Sequence, residues 1–190
     1  MFKNRSTQKE LIDLGPNYYT QDEYKICMEK LFTVNKFFGF FSSTCRVLRR
    51  FSKQSSLLEV GCGSGLFLLR LSRYFPEMLM LGIDISKPAI EIAEEKLKIT
   101  KNPRVSFSCQ QEPNLKSVKK FDIILANLVC HHMTNEELSV FIKEALAKAN
   151  KVVILNDLHR HPIAYWAYRF LSPILFRNKM ISHDGAISIL

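Results

Sequence analysis

The sequence predicts an α/β fold with a doubly wound, mostly parallel sheet, and three observations carry that prediction. Short, nearly continuous apolar runs recur through the middle of the chain, segments of helical periodicity lie between them, and a glycine-rich turn follows the first run. Strands buried on both faces read as continuous apolar runs, and single helices between strands imply right-handed crossovers within a parallel sheet.

Taken in order, Ser56-Leu57-Leu58-Glu59-Val60 is the first strand and ends in glycines. Leu66 to Phe75 has the apolar periodicity of a helix and is stopped by Pro76. Met78 to Asp84 is the second strand. Ser86 is the expected N-cap of a helix from Pro88 to about Lys98, since proline is favoured in a first turn. Val105 to Cys109 alternates as a third strand, and Phe121 to Asn127 is a fourth. Thr134 and Glu137 form a capping box for a helix from Asn135 to Ala149, and Lys151 to Asn156 is the fifth strand. Residues 1–54 are expected to be an N-terminal helical cap carrying the aromatic cluster Phe37-Phe38-Gly39-Phe40-Phe41. Residues 55–157 form the core, and 158–190 a helical lid, broken at Pro162 and Pro173, with the incomplete end of the core.

A chain of 190 residues with 47% hydrophobic and 24% charged residues has the composition of an ordinary soluble globular protein with one core. Cys27, Cys45, Cys62, Cys109 and Cys130 are odd in number and scattered, with no C-x-x-C pair. They signal neither a disulfide framework nor a metal site, and a cytoplasmic location is expected. The start of the chain lacks the apolar stretch of a secretory signal, and no run of about 18 apolar residues suggests a membrane span. The net charge of +9 sits in the flanks: residues 1–55 carry +5, residues 56–157 only +1, and residues 158–190 +3. Arg46-Val47-Leu48-Arg49-Arg50 comes nearest to a basic stripe and reads as a solvated helical face, so no specific nucleic-acid partner is signalled. The basic flanks leave peripheral contact with an anionic membrane, or an anionic substrate, open.

The turn Gly61-Cys62-Gly63-Ser64-Gly65 and the carboxylate Asp84, nineteen residues on at the end of the next strand, bear on a ligand. In a doubly wound sheet ligands bind beyond the carboxyl ends of the strands, and glycines there let them approach without meeting a Cβ. One carboxylate at that place suits two ribose hydroxyls. A dinucleotide turn is G-x-G-x-x-G, but its third glycine position is Leu66 here, which argues against NAD.

Leu57-Leu58-Glu59-Val60-Gly61-Cys62-Gly63-Ser64-Gly65 resembles the first motif of class I S-adenosylmethionine-dependent methyltransferases, and Leu81-Gly82-Ile83-Asp84-Ile85-Ser86 resembles their second. Phe121 to Asn127 with His131-His132 is similar to the fourth-strand motif of the small-molecule branch, which includes quinone-biosynthesis enzymes. The resemblance implies a Rossmann-like core with S-adenosylmethionine as cofactor and S-adenosylhomocysteine as product. It implies that Gly61, Gly63 and Gly65 pass close to the methionine part, that Glu59 organises its amino end and that Asp84 binds the ribose, with Ile85 beside it in the motif. Gln111 stands where the family commonly has an aspartate facing the adenine amino group, and its amide oxygen can accept the same bond. Asn127 is expected beneath the sulfonium.

On the substrate side, methyl transfer from a sulfonium asks mainly for alignment and exclusion of water, and a phenol or carbon acid also benefits from a base titrating near neutrality. His132 and His131 are the candidates, with His132 the better placed; the plainer reading makes both hydrogen-bonded loop residues before a helix. Asn156-Asp157-Leu158-His159-Arg160 and His183-Asp184-Gly185 resemble a subgroup presumed to methylate hydroxylated aromatic products. Class I members usually close the sheet with an antiparallel strand pair after the fifth strand. This sequence stops at Leu190 within a motif the subgroup continues, so a truncated chain lacking that pair is expected. The favoured reaction is O-methylation of a phenolic or aromatic small molecule or C-methylation of a quinol. The rival readings are a cofactor-binding module without turnover and, third, an RNA methyltransferase. The last is disfavoured because Asn127-Leu128-Val129-Cys130 lacks the two prolines and the aromatic of N-P-P-Y. The sequence specifies no oligomeric state.

Overall fold

The computed structural model describes residues 18–37, 39–110 and 115–157. The helical lid and the incomplete end of the core expected at residues 158–190, together with Phe38 and Gln111, lie outside the described residues.

The unit built on the sheet runs from Asn35 to Asp157. Its strands β1 (Ser56–Val60), β2 (Leu79–Asp84), β3 (Val105–Cys109), β4 (Phe121–Asn127) and β5 (Ala149–Asn156) are all parallel, in the order β3-β2-β1-β4-β5. The chain steps outward from β1 through β2 to β3, then returns past β1 and steps outward the other way. That reversal between β1 and β4 is the switch point where such sheets open a crevice.

Helix α3 (Leu66–Tyr74) joins β1 to β2, α4 (Lys87–Thr100) joins β2 to β3, and α5 (Asn135–Lys148) joins β4 to β5. Right-handed crossovers taken in opposite directions put α3 and α4 on one face and α5 on the other. Both central strands are therefore buried, with Leu57, Leu58, Ile123 and Ile124 fully excluded from solvent. Leu58, Phe121, Ile124, Phe141 and Ala145 belong to the core cluster on which α5 packs. Between β3 and β4 the described residues form no helix. Buried Leu115 and Val118 fill that place. Glu144 accepts from the Leu115 N–H at 2.9 Å, and Lys148 Nζ donates to the carbonyls of Lys116 and Val118 at 2.9 and 2.7 Å.

Helix α1 (Gln21–Phe37) ends before Gly39, whose φ of 85° breaks the chain direction ahead of α2 (Phe40–Leu48). Phe41 on α2 meets the rings of Phe67 and Tyr74 on α3 edge-on at 5.4 and 5.3 Å. At the start of the sheet, Asp122 accepts from the Ser56 N–H at 2.9 Å and pairs with Lys151 at 3.2 Å. The Ser56 N–H bond, with Lys151 behind it, holds that carboxyl below its ordinary value.

Local chemistry sets the helix starts as expected. Ser86 accepts from the Ala89 N–H at 3.3 Å. Thr134 and Glu137 exchange both bonds of a capping box, at 2.7 and 3.2 Å. Thr134→Ala is expected to cost about 1 kcal/mol, read as a fall of roughly 2–4 °C in a thermal melt, and Thr134→Ser should restore it.

Candidate active site

The glycine turn sits at the switch point, and its geometry shows why each glycine is there. Gly61, Gly63 and Gly65 have φ of 71°, 51° and 70°, a region costly for side-chain-bearing residues. The N–H groups of Gly61 and Cys62 both donate to the Ile83 carbonyl, at 2.9 and 3.1 Å, which anchors the turn to β2. A Cβ on Gly61 would stand 2.5 Å from Val129 Cγ2, beyond β4, and one on Gly65 2.5 Å from the Phe107 ring.

Asp84 organises the same turn. Its Oδ2 accepts from the Gly63 N–H at 2.7 Å and its Oδ1 from the Ser86 N–H at 2.8 Å, so one carboxylate ties the turn to the start of α4. Ile85 follows with 64% of its surface exposed, an apolar side chain left on the rim of the crevice. The Gln110 N–H donates to the Asp84 carbonyl at 2.8 Å, which carries the chain from β3 toward Gln111.

Glu59, in β1 just below the turn, is 1% exposed, and its Oε2 has no hydrogen-bond partner among the described residues. Burial, followed by the negative charge of Asp84, pushes its carboxyl well above the ordinary value. Burial and then the same two carboxyls push the Cys62 thiol up as well. A buried carboxyl oxygen without a donor is costly, and a cationic donor is the group that would satisfy it.

The end of β4 supplies the other wall. Asn127 is 9% exposed, and its Oδ1 accepts from Asn156 Nδ2 at 3.0 Å. The same amide nitrogen lies 3.1 Å from both the Phe40 carbonyl and Thr44 Oγ1 of α2. Leu128 takes a φ of 57°, and its N–H donates to the Asn156 carbonyl at 2.8 Å. A left-handed leucine costs about 1–2 kcal/mol and persists only where its surroundings over-determine it.

Residues Cys130–His132 form a single 3-10 turn. Asp157, just past β5, accepts from the His131 N–H at 2.8 Å and lies 2.6 Å from His131 Nδ1. The rings of His131 and His132 are 4.2 Å apart. Burial, with Asp157 nearby, pushes the Cys130 thiol up to about 11. Glu59, the three glycines and Asp84 thus meet in one turn. Asn127 ends β4 and the histidine pair lies in the loop after it, joined to that turn by Val129 against Gly61.

Asp157 and Asn156 have roles that sequence reasoning did not assign, although their place at the carboxyl end of a strand was the available signal. Among the described residues no three His, Cys, Asp or Glu side chains converge on a metal, and no helix is long and apolar enough to cross a membrane.

The family model for a methyltransferase domain matches residues 57–151, half of the chain. The chain is 37% identical over 75 residues to malonyl-[acyl-carrier protein] O-methyltransferase 1 of Ilyobacter polytropus, a match covering 40% of this chain and 27% of that one. It is 33% identical over 110 residues to the ubiquinone biosynthesis O-methyltransferase of Pelagibacter ubique, covering 57% of this chain and 44% of that one. The chain therefore spans less than half the length of these two curated relatives. Among solved structures, the plantazolicin methyltransferase BpumL in complex with SAH superposes with a TM-score of 0.69 at 21% identity, over 94% of this chain and 66% of that one. At that identity the likeness concerns the fold.

Proposed function

Since this chain belongs to the methyltransferase domain family, we propose that it transfers a methyl group from S-adenosylmethionine to a small molecule. The favoured acceptor is the hydroxyl of a phenol or related aromatic; C-methylation of a quinol comes second. The O-methyltransferase names of the two relatives support that order.

One observation carries the reading: a buried carboxyl oxygen without a hydrogen-bond partner among the described residues lies directly under a left-handed glycine turn that is tied to a second carboxylate at the switch point. These residues fit the cofactor. Glu59 suits an ammonium group, the turn admits a close ligand, and Asp84 keeps lone pairs beside its two backbone bonds for ribose hydroxyls. Ile85 offers an apolar edge to adenine; Gln111, the acceptor that the resemblance implies for its amino group, lies outside the described residues. When bound, the cofactor supplies a methyl group already activated on sulfonium.

The chain's own work is then alignment, exclusion of water and handling of one proton. Asp157, by accepting from His131 Nδ1–H, fixes the tautomer that places the basic lone pair on Nε2. His131, rather than the His132 favoured from sequence, is then the base that takes a phenolic proton, with the His132 ring tilted against it at 4.2 Å. Asn127, held by Asn156, lines the floor.

Calorimetry with S-adenosylhomocysteine tests the cofactor assignment. Micromolar binding, about 8 kcal/mol, is expected, with no response to NAD. Asp84→Ala should weaken binding by roughly 10- to 100-fold. It should also lower the melting temperature, because the Gly63 and Ser86 N–H groups lose their acceptor. A folded parent protein that ignores S-adenosylhomocysteine, or that answers to NAD, would end this reading.

A further inference from the structure

Because all five strands are parallel, their starts share one end of the sheet, opposite the crevice, together with the last turns of the helices. Charge is segregated along that axis. In the described segments leading into the strands, residues 49–55, 75–78, 101–104, 115–120 and 148, there are nine Lys or Arg and a single acid, Glu77; Asp122, the second residue of β4, adds an acid at this end and is paired with Lys151. In the segments leaving the strands, residues 61–65, 85–86, 110, 128–134 and 157, there is no Lys or Arg at all.

Basic residues in last helical turns complement the helix dipole, which accounts for Lys148 among these and for Arg73 beside them. It does not account for exposed Lys53, Arg104, Lys119 and Lys120, which lie in the connections. Neighbouring connections touch, so this is one surface. Arg104 Nη1 donates to the Glu77 carbonyl at 3.3 Å, Lys148 Nζ to the carbonyls of 116 and 118, and Lys151 Nζ to Ser55 Oγ at 3.2 Å. Five strands at about 4.8 Å spacing make it roughly 20 Å wide.

The same end carries protruding apolar side chains: Tyr74 at 50%, Leu79 at 44%, Ile99 at 82% and Leu146 at 62% exposure, three of them on final helical turns. Cations ringed around aliphatic tips suit a surface that is both anionic and penetrable. A polynucleotide would call for stacking aromatics, and Tyr74 is the single one among these tips. We propose that this end of the sheet docks on an anionic lipid bilayer, with the crevice facing away. The proposal is independent of the methyl-transfer reading.

The test is sedimentation of the full chain with vesicles of phosphatidylcholine alone or mixed with phosphatidylglycerol, at low and high salt. Binding is expected to the mixed vesicles only and to fade as salt rises. Lys119→Gln with Lys120→Gln should weaken it about 25-fold, the equivalent of about 1 kcal/mol for each lysine. Ile99→Gln with Leu146→Gln should weaken it several-fold while leaving binding to a double-stranded RNA unchanged. Melting curves and S-adenosylhomocysteine binding check that each variant is folded. The proposal falls if the folded parent ignores the mixed vesicles or if both pairs of variants bind them at full strength, which would put contact in the flanks. It also falls if RNA binds more tightly than vesicles.

Discussion

Replacing Gly65 with valine is expected to cost about 2–5 kcal/mol of stability and to abolish S-adenosylhomocysteine binding. Two effects add. The backbone at φ 70° disfavours any β-branched residue. The new Cβ would also lie 2.5 Å from Phe107 Cζ and 2.8 Å from Ala93 Cβ. Neither neighbour can yield. Ala93 is fixed in the buried face of α4, and the Phe107 ring is confined by Gly82, where a Cβ would come within 2.7 Å of it. For a chain of this size the loss corresponds to a drop of roughly 5–20 °C in melting temperature. A valine variant melting within a degree of the parent would show that the turn does not have this geometry.

Glu59→Gln is expected to change both ligand affinity and the dependence of stability on pH. A carboxyl whose pKa is higher in the folded state than in the unfolded one binds its proton more tightly when folded. Its contribution is complete below the ordinary value of 4.5 and drains away as pH rises toward the raised folded value. One proton gives a slope of at most about 1.4 kcal/mol per pH unit. The parent, without ligand, should therefore lose melting temperature as pH rises above the ordinary carboxyl range, and the glutamine variant should lack that part of the slope. Staying below pH 8 keeps the raised Cys62 thiol out of the measurement. The variant should bind S-adenosylhomocysteine on the order of 100-fold more weakly, because a neutral amide cannot balance a buried ammonium. Equal slopes for both proteins would remove Glu59 from that role.

The sheet was legible because burial on both faces writes itself into sequence as continuous apolar runs, as in β1 and β4, while β3 at the edge was read from its alternation. β5 alone begins earlier than expected, at Ala149, because the cap residue of α5 is already extended. The glycine turn and Asp84 were legible because spacing along the chain fixes them. What stayed hidden depends on pairing across strands. His131 and Asp157 are 26 positions apart and meet only because β4 and β5 are neighbours in register. Leu128 is forced left-handed by the Asn156 carbonyl, not by its own preferences. The charge segregation was invisible for a related reason. Residues 56–157 sum to +1, and only the topology sorts that near-zero balance into a basic end and, among the described residues, strand exits without Lys or Arg.

The side-chain amide of Asn156, shared among Phe40, Thr44 and Asn127, bears on how this domain could be recombined. It makes α2 part of the inheritance of the sheet rather than of the helix before it. A fragment starting at Ser55 would keep every strand yet leave that amide with Asn127 alone and uncover Phe67. A chimera that exchanges N-terminal segments between relatives is better joined at Gly39, where the backbone has already turned and the graft crosses none of these bonds.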